Sequence, residues 1–232
     1  MIKSFKYVLI VMLAGITMAC NNNRQQANSD NAVTGDTDSV SGATEHIDET
    51  SADSDKSVKK VLILSSSPRK DGNSDLLANR FLDGAKEAGH KTEKIFLSDH
   101  KIYFIEGNYS GPPSFPEDDE ADAIVEKMIQ ADVIVMATPV YYYAMSGQMK
   151  TMIDRTFFRF REMKDKEFYY IIAGADNNKE KFQPIVDTFR GFLEALPNPT
   201  EKGIIYGTGA YDKGAIKDTP AYDGAYEMGK NV

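Results

Sequence analysis

The chain contains few residues that could bind a metal or form a sulfur bridge. Among its 232 residues there is one cysteine, Cys20, and three histidines, His46, His90 and His100. A single cysteine cannot form a disulfide within the chain. A cysteine-ligated iron–sulfur cluster is excluded from the region beyond Cys20, which has no thiolate to offer. The histidines are isolated from one another and do not show metal-ligand spacing.

Glycine-rich nucleotide motifs and an excess of positive charge are also missing. The loop that follows the apolar run of residues 61–64 contains neither GxxxxGK[ST] nor GxGxxG. A P-loop is therefore excluded there, and an ordinary dinucleotide fold is disfavoured. The formal net charge of −8 argues against general affinity for nucleic acids.

Residues 1–19 have the pattern of a secretory signal peptide. Lys3 and Lys6 precede an apolar run over residues 7–13, and small residues lead into Cys20. This junction resembles a bacterial lipobox, whose cysteine is lipidated and becomes amino-terminal, although Thr17 stands where leucine is usual. We predict a lipid-anchored protein of the bacterial cell envelope, on the periplasmic or outer-membrane face. An ordinary signal with a chance cysteine and an uncleaved anchor are the alternatives.

Residues 20–57 have the composition of a disordered tether. Asn, Gln, Ser, Thr, Asp and Gly dominate, and large apolar side chains are almost absent. Such a segment cannot bury enough surface to offset the entropy lost on ordering. A flexible chain of this length reaches roughly 30 Å, enough to hold a domain off a membrane.

Residues 58–232 are predicted to form one α/β domain. Apolar runs alternate with amphipathic segments, which is typical of a parallel sheet with helices on both faces. The predicted strands cover residues 60–66, 91–97, 131–138, 168–173 and 202–206. The predicted helices cover residues 74–89, 119–130, 146–163 and 179–196, with a short helix near the C-terminus. Five strands favour the flavodoxin-like order 2-1-3-4-5, in which ligands bind beyond the carboxyl ends of the strands.

The most distinctive segments follow strands one, three and four, and we call them loop 1 (residues 66–74), loop 2 (138–147) and loop 3 (173–177). Loop 1 brings hydroxyls, an amide and an arginine to a helix N-terminus, an arrangement that suits a phosphate. Loop 2 contains three consecutive tyrosines, at residues 141–143, and loop 3 is small enough for a planar ring to approach its backbone. Together the loops predict a site for flavin mononucleotide (FMN).

Two segments resemble those of a known family. SSSPRKDGNS is similar to the GSPRKxGNT signature of the NAD(P)H-dependent FMN reductases, and TPVYYYAMSGQMKTMIDR is similar to their TPVYxxxxSGxxKxxxDR segment. The second likeness is strongest to the iron–sulfur flavoprotein, or multimeric flavodoxin, branch. The resemblance covers most of residues 59–206 and implies a flavodoxin-like fold, non-covalent FMN and a homodimer or homotetramer.

The resemblance also implies which residues contact the cofactor. The positions matching the phosphate signature are Ser67, Arg69, Asn73 and Ser74. Those expected around the ring and the ribityl chain are Pro139, Val140, Tyr141, Tyr142, Ser146 and Gly147. Those expected near the other edge of the flavin are Ala173 and Gly174.

The chain departs from the iron–sulfur branch after strand two. That branch carries a cysteine cluster of the form PCxGC, whereas this chain has Ile105 and Asn108 where thiolates are needed, with Gly107 between them. A flavin is then the only redox centre that the sequence predicts, with no metal.

The sequence therefore predicts an FMN-dependent NAD(P)H oxidoreductase that passes electrons to a quinone, flavin, nitro compound or metal ion. No side chain stands out as a general acid or base, so none is assigned a catalytic role. A tethered, non-enzymatic electron carrier similar in role to flavodoxin is one alternative, because NAD(P)H is expected to be scarce outside the cytoplasm. A binding module that keeps the fold without the flavin is another.

Overall fold

The structure, a computed structural model, describes residues 57–106 and 114–232. The predicted signal peptide, Cys20 and the tether up to residue 56 lie outside the described residues, as do Gly107 and Asn108. Within the described part of the chain, no helix is both long and apolar enough to cross a membrane.

Five parallel strands form one sheet in the order β2-β1-β3-β4-β5, which confirms the predicted flavodoxin-like topology. The strands are β1 (Lys60–Ser65), β2 (Lys91–Phe96), β3 (Val133–Pro139), β4 (Glu167–Ala173) and β5 (Thr200–Gly207). Because β1, β3 and β4 are neighbours in the sheet, loops 1, 2 and 3 emerge side by side at its carboxyl edge.

The helices are α1 (Asn73–Glu87), α2 (Ala121–Gln130), α3 (Gly147–Arg155), α4 (Gln183–Glu194) and α5 (Pro220–Lys230). The helix predicted over residues 146–163 is shorter than expected. It ends at Arg155 and continues as two 3₁₀ turns, Thr156–Phe158 and Phe160–Glu162. The Thr156 hydroxyl donates to the carbonyl oxygen of Ile153 at 2.6 Å, a local bond that competes with regular helix.

The core consists of two layers, because alternate strand residues point to opposite faces of the sheet. One layer contains Leu62 and Leu64 of β1 and packs against α2, α3 and α4. The other contains Val61 and Ile63 and packs against α1 and α5. The run of residues 61–64 is apolar throughout because both of its faces are buried.

Helices α1 and α5 approach each other at backbone distance. A Cβ added to Gly84 would overlap the carbonyl oxygen of Tyr226, and one added to Gly229 would overlap that of Phe81. Glycine on each helix therefore permits this contact, which fastens the C-terminal helix to the helix that begins at loop 1.

Candidate functional site

Loop 1 makes a tight turn that leaves little room for a side chain at Gly72. A Cβ on Gly72 would lie 2.6 Å from Oγ of Ser67 and 3.0 Å from the carbonyl oxygen of Arg69. The Gly72 N–H donates to that same carbonyl at 3.0 Å, and Asp71 has a left-handed φ of +58°. The chain then enters α1, whose first-turn N–H groups have no acceptor within the helix.

Ser67, Arg69 and Ser74 differ in their freedom to contact a ligand. The buried Ser67 hydroxyl donates to the Arg69 carbonyl at 2.8 Å, while the Arg69 side chain is exposed. Oγ of Ser74, in the first turn of α1, is buried and lacks a hydrogen-bond partner among the described residues. A buried polar atom left unpaired costs about 1–3 kcal/mol. An anion at this helix N-terminus would supply the missing acceptor.

Asn73, which is predicted to contact the phosphate, makes its hydrogen bonds to another part of the domain. Its Nδ2 donates to the carbonyl oxygens of Ala210 and Asp212, each at 2.9 Å. Its Oδ1 accepts from the N–H groups of Gly214 at 2.9 Å and Ile216 at 3.4 Å. Two donors and two acceptor sites are the whole capacity of an amide, so none remains for a phosphate. Asn73 instead fastens the start of α1 to the segment after β5.

Beneath loop 1 lies a buried carboxylate that sequence reasoning missed. Oδ1 of Asp75 accepts from the Ser65 hydroxyl and from Nζ of Lys94, each at 2.7 Å. Oδ2 accepts from the N–H of Asp71 at 3.0 Å. An acidic residue in the first turn of a helix is common, so its type alone gave no signal. Its partner Lys94 lies on β2, and nothing in the sequence pairs the two.

Loops 1 and 2 are joined by buried hydroxyl groups. The Ser146 hydroxyl lies 2.9 Å from Oγ and 3.2 Å from the carbonyl oxygen of Ser66. The Ser146 N–H donates to Oγ1 of Thr138 at 2.9 Å. Oγ of Ser146 also accepts from the N–H of Met149, which makes it the N-cap of α3. The structure thus brings Ser146 to loop 1, as a joint between the two loops, while Gly147 begins α3 on the exposed surface.

Loop 2 presents its tyrosines on a strained two-residue turn. Tyr141 and Ala144 exchange two backbone hydrogen bonds of 2.9 Å. Tyr142 and Tyr143, between them, have φ values of +48° and +60°. Positive φ at both central positions defines a type I′ turn, which favours Asn-Gly, and left-handed geometry costs roughly 1–2 kcal/mol for each L-residue. Tyr142 is fully exposed, and Tyr141 and Tyr143 are 43% and 49% exposed.

Loop 3 is packed against loop 2 through Gly174. A Cβ at Gly174 would lie 2.9 Å from the Val140 side chain and 2.9 Å from Cζ of Phe182. The N–H of Val140, which follows Pro139 at the end of β3, donates to the Ala173 carbonyl at 2.9 Å. Ala173 and Gly174 are both buried, and the next residue, Ala175, is the one exposed at this edge.

Loops 2 and 3 border a cavity of about 470 Å³. Asp176 and Lys181 form an ion pair of 2.7 Å at its side, and Nζ of Lys181 lies 5.9 Å from the centroid of the Tyr143 ring. The hydrogen bond from Lys181 lowers the pKa of Asp176, with a smaller contribution from the backbone N–H of Asn178. The cavity is lined by Val140, Tyr142, Tyr143, Ala175, Asp176 and Phe182.

The residues fit an FMN at this edge of the sheet. A helix N-terminus with an exposed arginine and an unpaired hydroxyl suits the phosphate. A cavity with flat aromatic walls in the adjoining loops suits a planar ring.

The sequence matches the NADPH-dependent FMN reductase family over residues 59–183. A Bacillus subtilis protein named as an NAD(P)H-dependent FMN-containing oxidoreductase is 29% identical over 179 residues, 73% of this chain and 96% of that protein. An iron–sulfur flavoprotein of Methanocaldococcus jannaschii is 36% identical over 99 residues, 42% of this chain. The match spans about half of that relative, 51% of its length.

Solved structures show the same fold. The Trp repressor binding protein from Bacillus subtilis is 28% identical with a TM-score of 0.56, over 73% of this chain and 99% of that chain. An FMN-dependent NADH-azoreductase from Bacillus anthracis, solved with FMN, has a TM-score of 0.56 at 16% identity, over 75% of this chain and 99% of its own.

Proposed function

The chain belongs to the NADPH-dependent FMN reductase family, and we propose that it passes electrons from NAD(P)H to a quinone, free flavin, nitro compound or metal ion. It is an FMN-dependent NAD(P)H oxidoreductase, and its cofactor is FMN. What we propose beyond this is the set of electron acceptors. Loops 1, 2 and 3 lie along one sheet edge, so the phosphate-binding groups adjoin an open aromatic cavity. This arrangement supports the proposal.

FMN, when bound, supplies the capacity to accept a hydride and pass on its electrons. The residues of the chain bind and orient it. Arg69 and the first turn of α1 attract the phosphate, and the Ser66–Ser146 contact fixes the spacing between loop 1 and loop 2. The tyrosine turn and Ala175 border the space for the ring and leave it open to a donor or acceptor.

Anaerobic reduction tests the proposed activity. The purified protein, loaded with FMN, is mixed with NADPH while the flavin absorbance is recorded. Rapid bleaching followed by recovery on adding a quinone is expected. Parallel initial-rate plots are also expected, because donor and acceptor would use the same open cavity in turn. A bound flavin that NADPH and NADH leave oxidised would favour the electron carrier, and a protein without affinity for FMN would contradict the proposal.

We also propose that residues 1–19 are a signal peptide, that Cys20 carries the lipid, and that residues 20–57 tether the domain to the cell envelope. The signal-like apolar run and the lipobox-like junction support this. Intact-mass analysis of membrane-extracted protein is expected to show a chain that begins at Cys20 with added acyl mass. A Cys20→Ser protein is expected in the soluble fraction, and a shortened protein beginning at Ser57 should still bind FMN. An unacylated mature chain would contradict the anchor.

We propose that the protein is a homo-oligomer. Phe104, which is 68% exposed, lines an apolar cavity of about 470 Å³ that α3 and α4 border. A second copy of the chain is the partner that family membership supports. Sedimentation analysis should give at least a dimer, and Phe104→Asp should shift it toward monomer. A wild-type monomer at micromolar concentration would contradict the proposal.

A further inference from the structure

Asp75 presents a physical problem in a phosphate site. Its side chain is 3% exposed, and it lies in the first turn of α1, the place that suits the phosphate of FMN. A buried carboxylate is costly unless it is paired, and a second negative charge nearby would repel a phosphate.

The bonds of Asp75 connect three parts of the structure. Ser65 ends β1, Asp71 belongs to loop 1, and Lys94 belongs to β2; each donates to the carboxylate, at 2.7, 3.0 and 2.7 Å. Lys94 also donates to Oδ1 of Asn79 at 2.5 Å, so α1 holds it in place. These bonds fix both the position and the charge balance of the carboxylate.

The hydrogen bond from loop 1 to Asp75 comes from Asp71, a residue with an unfavourable backbone conformation. Asp71 has a left-handed φ of +58°, which is uncommon for a residue other than glycine. Accepting the Asp71 N–H, Asp75 holds that conformation and so fixes the turn at Gly72 that leads into α1. The hydrogen bond therefore restrains loop 1 to one backbone conformation.

The bond to Lys94 removes the electrostatic penalty. An ammonium 2.7 Å from the carboxylate makes the pair neutral as a unit. The attraction of the helix N-terminus and Arg69 for an anion is then left uncancelled.

We propose that Asp75 and Lys94 are positioning residues for the FMN phosphate: Asp75 holds loop 1 in its binding shape, and Lys94 neutralises Asp75. This rests on the proposed FMN site. The pair would select for the phosphate-bearing flavin without contacting it.

Calorimetric titration of the apo-protein with FMN and with riboflavin, which lacks the phosphate, tests the proposal. Asp75→Asn and Lys94→Met should each lower the affinity for FMN by roughly tenfold or more, which corresponds to the loss of one charge-assisted hydrogen bond. Each should lower the affinity for riboflavin by less than about threefold. Asp75→Asn should also speed hydrogen exchange of the Asp71 amide in the apo-protein. The double variant should bind FMN better than Lys94→Met alone, because no unpaired charge is left. Glu93→Gln, on β2 beside Lys94 and paired with exposed Lys127, is the matched control and should change neither ligand.

Equal weakening of both ligands would show that the pair acts through the fold, and would overturn the inference while leaving the FMN site intact. Unchanged FMN affinity in both single variants would overturn it as well. A wild-type protein that binds neither ligand would contradict the proposed function itself.

Discussion

A single side chain, Arg155, organises the segment between β2 and α2. It is 1% exposed and donates to the carbonyl oxygen of Tyr103 at 3.1 Å and to Oδ1 of Asp119 at 2.9 Å. Its guanidinium carbon lies 3.3 Å from the centroid of the Phe115 ring. The arginine of the DR pair in the TPVYYYAMSGQMKTMIDR segment is thus a structural clamp.

Arg155→Ala should lower the free energy of unfolding by about 3–5 kcal/mol, because it leaves the carboxylate of Asp119 buried and unpaired. The control is Arg159→Ala, since Arg159 is partly exposed and pairs with Glu126 and Glu162. It should cost about 1 kcal/mol or less. Urea unfolding measures both, and equal losses would contradict the clamp.

Substitutions of Arg69 and Asn73 should have different effects on the affinities for FMN and riboflavin. Arg69→Ala should weaken FMN by roughly tenfold and leave riboflavin nearly unchanged, because a charge-assisted hydrogen bond to phosphate is worth about 1.5–3 kcal/mol. Asn73→Ala should lower thermal stability and weaken the binding of both ligands alike, because it removes four hydrogen bonds that hold the segment after β5. Titration with the two ligands, alongside thermal unfolding, distinguishes the cases. A selective loss of FMN affinity in Asn73→Ala would support the predicted contact of Asn73 with the phosphate.

The position of loop 1 could be predicted from the sequence, but the contacts that each of its side chains makes could not. Ser, Asn and Arg next to a helix start all suit a phosphate. The partners of Asn73 lie 137–143 positions away in the chain, and only the folded sheet brings them close. A short-range pattern could not separate Arg69, whose side chain is exposed, from Asn73, whose amide makes four hydrogen bonds.

At the scale of elements, the tyrosine turn of loop 2 stores strain. The double variant Tyr142→Asn/Tyr143→Gly has the preferred type I′ sequence and should be more stable by about 1–2 kcal/mol. For a chain of this size that raises Tm by roughly 2–8 °C. Tyr211→Asn, which alters another highly exposed tyrosine, 81% accessible, should leave Tm unchanged. A fall in Tm for the double variant would show that the tyrosine rings contribute packing that outweighs their backbone strain.

Replacing glycine by alanine should have opposite effects on stability at Gly84, in the contact between α1 and α5, and at Gly191, outside that contact. Gly84→Ala should destabilise by about 1–3 kcal/mol or more, because the added methyl overlaps backbone that cannot move aside. Gly191, on α4, has open space around its would-be Cβ. Gly191→Ala should therefore stabilise by about 0.5–1 kcal/mol through helix propensity. Chemical denaturation of both variants measures the difference, and a neutral Gly84→Ala would mean that the helices can separate freely.

Element boundaries depended on local bonds that the periodicity does not show. The apolar pattern continues through Phe157, Phe158 and Phe160, and so predicted helix to residue 163. The Thr156 side chain bonds back to Ile153 instead, and the backbone tightens into 3₁₀ turns.

On the scale of the whole molecule, the strand order followed from alternation of apolar runs and helices, since right-handed parallel connections leave few topologies. The close approach of α1 and α5 at Gly84 and Gly229 did not follow from the sequence, because glycine is equally common in turns and at close helix contacts.

Exposed ion pairs should govern the response of the molecule to acid. Hydrogen bonds from basic partners lower the pKa of Glu87 and Asp176 below ordinary values of 4.5 and 3.8, respectively. A carboxyl group whose pKa is lowered by folding stabilises the protein above the unfolded pKa and loses that contribution as pH falls through the folded value. Tm should therefore be constant near neutral pH and fall below about pH 4.5. Molar salt should flatten this profile, because these groups are at least partly exposed; a salt-independent profile would point to buried groups instead. The other carboxyl groups lowered in the same direction are Asp118, Glu120, Glu126, Glu162, Asp165 and Glu201.

The parallel sheet gives the domain a front and a back. Strand β1 begins at Lys60, next to the start of the described chain, whereas loops 1, 2 and 3 leave the strands at the opposite end. Strands of six to eight residues separate the two ends by roughly 20 Å. A bead, electrode or fused carrier joined directly to residue 57, without the preceding residues, would therefore hold the domain by its back and leave the proposed FMN site turned to solution. Immobilised this way, the protein should exchange electrons with dissolved mediators more readily than with the support that carries it.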